Sequence, residues 1–334
     1  MRRLPVYVMV DVSETMAGPA LEALQGGLST MMAALRRDPM VIETGAVSII
    51  AFGADAEVLV PLSDVTSVQI PKLHISSGTS LGKAFRKLLR QMDAEVQKTT
   101  SEHRGDYSPI VFLITDGMPT DAWESAYAAF RKVHPHVVIH AVGCGDDIDF
   151  SVLGKVTENV YVMKDMDIDS FGELFKCVSA SIGRSVGASV EGVATRFELV
   201  EFAGDLIRRP VHDEFIPQVQ QRQAMIPVSC SKHKKPYLLR YRLDESTGMY
   251  DCIAAHKIDV PLTGEGAKDT QIEVSSLNMQ VPCPYCGNEA LVRCGACGAA
   301  SCIPSGAGHM VCPICGNSGG VTYSDDFAFD RSRG

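Results

Sequence analysis

Three oxygen-bearing side chains follow the first apolar segment of the chain at alternate positions. Asp11, Ser13 and Thr15 come directly after the strand pattern Val6 to Val10. A turn that leaves a strand can direct its first, third and fifth residues toward one point. A carboxylate and two hydroxyls there are hard donors, which suit magnesium, manganese or calcium better than a soft metal. Such residues also form ordinary turns and helix caps, so the segment alone does not establish a metal site.

Two later segments could complete this site. Thr79 opens a helix pattern after Ser77 and Gly78, and Asp116 comes just after the apolar run from Pro109 to Ile114. In an open α/β sheet, ligands bind beyond the carboxyl ends of the strands. Distant carboxylates at two such ends can therefore share one ion. The predicted ligands of Mg²⁺ or Mn²⁺ are Asp11, Ser13, Thr15, Thr79 and Asp116.

These five residues resemble the metal-ion-dependent adhesion site of von Willebrand factor A domains in type, order and strand context. Thr15 stands where that family more often has serine, and a hydroxyl of either residue can serve as the ligand. The resemblance implies an ion held largely by hydroxyls and water, which recruits a Glu or Asp of a partner protein. It covers roughly residues 4–183.

The first half of the chain alternates strand and helix patterns, which predicts an α/β fold with a doubly wound, mostly parallel, Rossmann-like sheet. Helices are predicted where apolar residues recur every three or four positions, and buried strands where apolar runs are continuous. The predicted strands are Val6–Val10, Ala46–Phe52, Glu57–Pro61, Ile110–Ile114 and His136–Val142, and the predicted helices are Pro19–Arg37, one beginning at Thr79, Trp123–Val133 and Phe171–Ile182.

The cysteines predict a second kind of metal site. Seven of the eleven cysteines lie between residues 283 and 315, as three Cys-x-x-Cys pairs, each followed by glycine, and one single cysteine. This spacing lets both thiolates of a pair bind one ion in a tight turn, and it is typical of structural zinc. The predicted zinc ligands are Cys283, Cys286, Cys294, Cys297, Cys302, His309, Cys312 and Cys315.

Eight ligands are enough for two closed tetrahedral zinc sites, and the spacing leaves their pairing open. We favour a zinc ribbon formed by two Cys-x-x-Cys pairs, Cys283 with Cys286 and Cys312 with Cys315, which encloses a second site. A cross-braced arrangement is the alternative. A further site from Cys230, His233, Cys252 and His256 is disfavoured, because neither pair is followed by the glycine of a zinc-binding turn.

The expected domain organisation is an A domain at residues 1–185, a linker at 186–195, a β-rich segment at 196–276, a zinc-binding module at 277–320 and a disordered tail at 321–334. This combination resembles the TerY family of tellurium-resistance proteins. The resemblance implies a bacterial stress-response or conflict system, with a serine/threonine kinase and a metal-dependent protein phosphatase as partners.

Composition bears on the protein's partners and its compartment. The net charge of -9 disfavours nucleic acid as the main partner. Clustered cysteines with metal spacing indicate a reducing compartment, and the lack of a long apolar run disfavours a membrane span. These features predict a cytoplasmic protein, and the resemblance to the adhesion site implies a protein-binding scaffold or adaptor that is not an enzyme.

The alternative function is a haloacid-dehalogenase-like phosphatase. Such enzymes also place an Asp after the first strand, and Gly145 to Asp149 is similar to their later acidic motif. Ser13, however, stands where the general-acid aspartate should be, and serine cannot deliver a proton near neutral pH as a carboxylic acid can.

Overall fold

The chain divides into two structural units. The computed structural model describes residues 2–102, 104–116, 118–145, 148–191, 206–210, 223–262, 270–278, 281–322 and 327–331. The first unit comprises Met1–Asp11, Pro19–Leu73 and Thr79–Pro217, and the second comprises Val12–Gly18, His74–Gly78 and Gln218–Gly334.

The first unit contains a seven-stranded sheet in the order β3-β2-β1-β4-β5-β6-β7. The inner pairs are parallel, and the edge pairs β2–β3 and β6–β7 are antiparallel. This order is that of a doubly wound fold and confirms the predicted fold class. The strands are β1 (Leu4–Asp11), β2 (Gly45–Phe52), β3 (Ala56–Asp64), β4 (Ile110–Thr115), β5 (Val138–Cys144), β6 (Val160–Met163) and β7 (Ile207–Arg208).

The central strands form because their sequences are continuous apolar runs. Every residue of β1, β2 and β4 is buried, as expected for parallel strands that helices cover on both faces. The helices of this unit are α1 (Pro19–Leu35), α2 (Pro39–Thr44), α3 (Leu81–Glu95), α4 (Glu124–Val133), α5 (Phe150–Val156) and α6 (Ile168–Glu191).

Asp38 and Pro39, which follow the helix predicted to end at Arg37, start a further short helix. The Asp38 carboxylate accepts a hydrogen bond from the amide of Met40 at 3.0 Å, and Pro39 occupies the first turn of α2. Aspartate before proline is therefore an N-cap here, because proline needs no hydrogen-bond acceptor in the first turn. The short elements α5 and β6 are also absent from the sequence prediction.

The first part of the predicted linker is helical. α6 continues to Glu191, through much of the range 186–195, and the rest of that range lies outside the described residues. Ile182 and Val186, one helical turn apart, are both buried, and the hydroxyl of Ser185 donates to the carbonyl of Ser181 at 2.9 Å. An apolar face at helical spacing thus outweighs the glycines and serines around it.

The second unit is built on a six-stranded sheet in the order β12-β10-β9-β8-β14-β13, with two further two-stranded pairs, β11–β17 and β15–β16. Its strands are β8 (Gln223–Cys230), β9 (Pro236–Asp244), β10 (Met249–Lys257), β11 (Thr270–Glu273), β12 (Leu277–Asn278), β13 (Ala290–Arg293), β14 (Ala300–Ile303), β15 (His309–Val311), β16 (Ser318–Gly320) and β17 (Ala328–Arg331).

This sheet corrects two predicted boundaries. β14 pairs in parallel with β8, so the β-rich segment and the zinc-binding module share one sheet instead of dividing near residue 276. The predicted disordered tail contains β17, which pairs with β11. Phe329 of β17 is buried in the same core as Ile272, which explains why this part of the tail is ordered. Among the described residues, no helix is both long and apolar enough to cross a membrane.

Candidate metal centres

The sheet of the first unit brings two aspartates to one edge. Asp11 ends β1, and Asp116 follows β4, which lies beside β1 with Val10 opposite Ile114. The strand order reverses between β1 and β4, and such a switch point opens the crevice where α/β folds bind ligands. Both predicted carboxylate ligands therefore stand at the favoured position.

Both aspartates lie in the protein interior, at the ends of neighbouring strands. Asp11 and Asp116 are both buried, and the hydroxyl of Thr115 donates to Asp11 Oδ2 at 2.6 Å. Burial raises the pKa of the Cys144 thiol, and the charges of Asp116 and Asp11 raise that pKa further. The charges of both carboxylates thus reach the end of β5, and a cation bound at this edge of the sheet would offset the repulsion between them.

Thr79 lies at the same edge of the sheet. The amide of the next residue, Ser80, donates at 2.8 Å to the carbonyl of Gly53, which directly follows β2. The Thr79 hydroxyl oxygen is buried and has no hydrogen-bond partner among the described residues. A buried hydroxyl without a partner costs about 1–3 kcal/mol, which a metal ion bound by that oxygen would offset.

Ser13 and Thr15 lie in the loop that leaves β1, and their side-chain oxygens are 3.0 Å apart. This loop is bonded to the segment just before Thr79. The amide of Gly78 donates to the carboxylate of buried Glu14 at 2.7 Å. Glu14 has no predicted role, and its position between two candidate ligands in the sequence was the available signal. The donors found here, carboxylates and hydroxyls, fit a hard divalent cation.

The cysteines of the second unit form two groups of four, and within each group all sulfur atoms lie within 4.8 Å of one another. We name them the inner and the outer cysteine site. The inner cysteine site consists of Cys230, Cys283, Cys286 and Cys302, and the outer cysteine site consists of Cys294, Cys297, Cys312 and Cys315.

Sulfur–sulfur distances in both sites fit tetrahedral zinc. Cys286 Sγ and Cys302 Sγ are 3.6 Å apart in the inner site. In the outer site, the Cys294–Cys315 and Cys297–Cys312 sulfur pairs are each 3.7 Å apart. A regular tetrahedron with Zn–S bonds of about 2.3 Å has edges of about 3.8 Å. The spacing therefore matches a ZnS₄ centre.

The charges of the clustered thiolates also favour a bound cation in each cysteine site. The amides of Cys297 and Ala296 lower the pKa of Cys294 to about 6. Burial, together with the neighbouring thiols, raises the pKa of Cys286 and of Cys297 to about 12. Four thiolates cannot coexist at these distances without a positive charge, and zinc binds them with release of their protons.

Each Cys-x-x-Cys pair sits in the same six-residue turn. In the turn that starts at Cys283, the amide of Gly287 donates back to the carbonyl of Cys283 at 2.9 Å, and glycine adopts a φ of 76°. The turns that start at Cys294 and Cys312 repeat this pattern with Gly298 and Gly316. The positive φ explains why these sequences need glycine after the second cysteine.

A fourth copy of this turn starts at Cys230. The amide of Lys234 donates to the carbonyl of Cys230 at 2.8 Å, and the amide of Cys230 donates to the carbonyl of Lys235 at 2.9 Å. Lys234 adopts a φ of 54° and so takes the conformation of the missing glycine. The lack of a following glycine was therefore a wrong reason to disfavour Cys230. Only the Cys-x-x-His spacing could have indicated that it is a ligand.

Two predictions about the zinc ligands are corrected. The ribbon of Cys283 and Cys286 with Cys312 and Cys315 is wrong, because the second of these pairs belongs to the outer site. His309 belongs to neither site; it is exposed, with its Nε2 atom 3.0 Å from Ser318 Oγ.

The fourth ligand of the inner site comes from the sheet. Cys230 replaces His309 in the ligand set, and Cys302 of β14 lies opposite Cys230 of β8. His233, Cys252 and His256, the other members of the disfavoured site, are in neither group.

Two family models match separate parts of the chain. The model of the von Willebrand factor type A domain matches residues 6–176, and that of the TerY-C metal binding domain matches residues 221–334. The chain belongs to the von Willebrand factor type A domain family. It is a TerY-like member, in which a C-terminal metal-binding domain follows the A domain, and this combination supports a metal-binding adaptor or scaffold.

Solved structures resemble the chain only remotely. A von Willebrand factor type A protein from Catenulispora acidiphila has a TM-score of 0.44 and 13% identity, over 79% of this chain and 67% of that one. Proximal thread matrix protein 1 from the mussel byssus, with a zinc-occupied MIDAS motif, has a TM-score of 0.39 and 18% identity, over 55% and 46%. The chain thus spans about half the length of the mussel protein.

Proposed function

We propose that this protein is a non-enzymatic adaptor whose A domain captures an acidic side chain of a partner protein through Mg²⁺ or Mn²⁺. The proposed ligands are Asp11, Ser13, Thr15, Thr79 and Asp116. The single observation that carries the proposal is the buried Thr79 hydroxyl, which lacks a hydrogen-bond partner among the described residues and stands at the sheet edge that holds Asp11 and Asp116.

The ligand chemistry favours binding over catalysis. Neutral hydroxyls leave a divalent ion with net positive charge, which a carboxylate from a partner can satisfy. Ser13 lies where a phosphatase would need its general acid, so the same residue supports capture and disfavours phosphoryl transfer. Asp146 and Asp147 of the phosphatase-like motif lie outside the described residues.

Thr79→Val tests the proposal most sharply, because valine has nearly the shape of threonine and lacks the hydroxyl. We expect metal-dependent partner capture to weaken at least about tenfold. The metal-free variant should be as stable as wild type or more stable, because an unpartnered buried hydroxyl is removed. Affinity purification with mass spectrometry, with and without added Mg²⁺, measures capture, and thermal unfolding measures stability.

Two further variants complete this test. Asp11→Ala removes a charged ligand and should abolish capture, while the zinc content stays unchanged. Glu43→Ala is the matched control, because Glu43 is an exposed carboxylate in α2, which precedes β2 and so lies at the opposite end of that strand. Capture that survives Thr79→Val, Asp11→Ala and excess chelator would refute the metal bridge. Phosphatase turnover that is lost in Asp11→Asn would refute the non-enzymatic assignment.

The cellular setting is also part of the proposal. We infer a cytoplasmic protein of a bacterial stress-response or conflict system, which works with a serine/threonine kinase and a metal-dependent phosphatase. The TerY-like combination of domains supports this setting. If the setting is right, the proteins captured by wild type and lost in Asp11→Ala should include a kinase or a phosphatase.

A further inference from the structure

The two cysteine sites differ in how solvent reaches them. In the inner cysteine site, Cys230, Cys283 and Cys302 are buried in the core of the domain and Cys286 is half-buried. In the outer cysteine site, two of the four ligands, Cys297 and Cys315, are exposed. Both exposed residues belong to zinc-binding turns whose first cysteine is buried.

The outer site is also placed for disulfide formation. Each exposed cysteine lies 3.7 Å, sulfur to sulfur, from a buried cysteine of the other turn: Cys297 from Cys312, and Cys315 from Cys294. An oxidant that reaches an exposed thiolate therefore finds a resolving thiolate beside it. No comparable exposed ligand exists among the four cysteines of the inner site.

We propose that the outer cysteine site is a redox-modification site, at which hydroperoxides oxidise Cys297 and Cys315 and thereby release the zinc ion of that site alone. The sulfur of an exposed thiolate attacks the peroxide, the O–O bond breaks, and a sulfenic acid and one hydroxide form. The neighbouring thiolate, Cys312 or Cys294, then displaces a second hydroxide and forms a disulfide. Two thiolates lose two electrons, and the peroxide accepts them.

Loss of two thiolate ligands removes the tetrahedral site and frees the elements that it ties together. The turn that starts at Cys294 joins β13 to β14, and the turn that starts at Cys312 joins β15 to β16. β15 and β16 pair only with each other among the described strands. The outer site is therefore the link that oxidation would cut, while the inner site and the six-stranded sheet remain.

The test uses the full-length protein loaded with two zinc ions and treated with hydrogen peroxide. A chromogenic chelator follows zinc release, and peptide mass spectrometry maps the disulfides. We expect one ion to be released at least about tenfold faster than the other, with Cys297–Cys312 and Cys294–Cys315 disulfides and intact inner thiols. Reduction with added zinc should restore both ions.

Equal release rates, earlier release from the inner site, or no release before the buried Cys144 and Cys177 react would each overturn the proposal. A double variant, Cys297→His with Cys315→His, provides the control, since imidazole binds zinc and forms no disulfide. It should keep two zinc ions and lose the fast phase of release. A fast phase that persists in a two-zinc double variant would also overturn the proposal, and if that variant binds one ion, the wild-type disulfide map decides.

Discussion

Lys234 holds a backbone conformation that normally belongs to glycine. Its φ of 54° lies in the left-handed region, where a Cβ atom crowds the following carbonyl at a cost of about 1 kcal/mol or more. The turn that starts at Cys230 keeps this conformation because its hydrogen bonds, and the ligand that it presents, require it. Backbone strain in a turn that carries a candidate metal ligand indicates that the turn has a function.

Lys234→Gly should therefore stabilise the protein. We expect the free energy of unfolding of the zinc-loaded protein to rise by about 0.5–1 kcal/mol, with zinc content unchanged, because glycine relieves the strain. Denaturant titration measures the change. The matched control is Gly287→Ala, which places a Cβ atom at a φ of 76° and should destabilise by a similar amount. A destabilising Lys234→Gly would argue against strain at this position.

The ligand assignment makes a second prediction at the scale of single residues. Cys230→Ser should reduce bound zinc from two ions to one, because it removes a ligand of the inner cysteine site. His309→Ala and Cys252→Ser should keep two ions, since neither residue belongs to a cysteine group. Metal analysis of the purified variants decides. Loss of one ion in His309→Ala would restore the ligand set expected from sequence.

The strands of the α/β domain were predictable to the extent that their apolar runs are long. β1, β2 and β4 are wholly buried, so each of them appears in the sequence as a continuous apolar run. β6 has only four residues, Val160–Met163, which is too few for an apolar run to stand out from its surroundings. α6 was predicted too short because glycine and serine lower helix propensity, whereas buried Ile182 and Val186 decide the outcome through packing.

One buried residue of β5 makes the α/β domain sensitive to acid. His140 is buried, its ring stacks on Phe112 at 5.3 Å between centroids, and the ring of Tyr161 lies 6.0 Å away. Burial, and then the charge of Arg209, lower the pKa of His140 to about 4. The neutral imidazole is thus the form that the folded strand accepts.

The sign of the pH effect follows from this depressed pKa. In the unfolded chain His140 takes up a proton near pH 6.5, whereas in the folded protein it does so only near pH 4. The contribution of His140 to the free energy of unfolding is therefore fully present above pH 6.5. It is lost as the pH falls toward 4, and the loss is roughly 3 kcal/mol at most. His140→Phe should lose this part of the pH dependence. Thermal unfolding of both proteins from pH 7.5 to pH 4 measures the difference, and parallel curves would contradict the prediction.

At the scale of the whole molecule, the cysteine spacing predicted the metal-binding character of the C-terminal domain but not its extent. The hard-cation site of the A domain stays a prediction. Strand and helix periodicity defined the A domain because its longer elements are locally encoded. The pairing of β14 with β8 joins residues about 70 positions apart, and no local pattern encodes such a contact. The same long-range pairing places Cys302 opposite Cys230, which is why ligand spacing alone gave the wrong zinc partners.

The positions of the four zinc-binding turns along the chain imply an order of assembly. Cys297 and Cys312 are separated by about 15 residues, whereas Cys230 and Cys283 are separated by about 50, and loop closure for the longer span costs about 1 kcal/mol more. The inner cysteine site also requires that β14 has already docked on β8. During folding, zinc should therefore be captured first at the outer cysteine site, so that the ion most exposed to later loss is the one that begins the assembly of the domain.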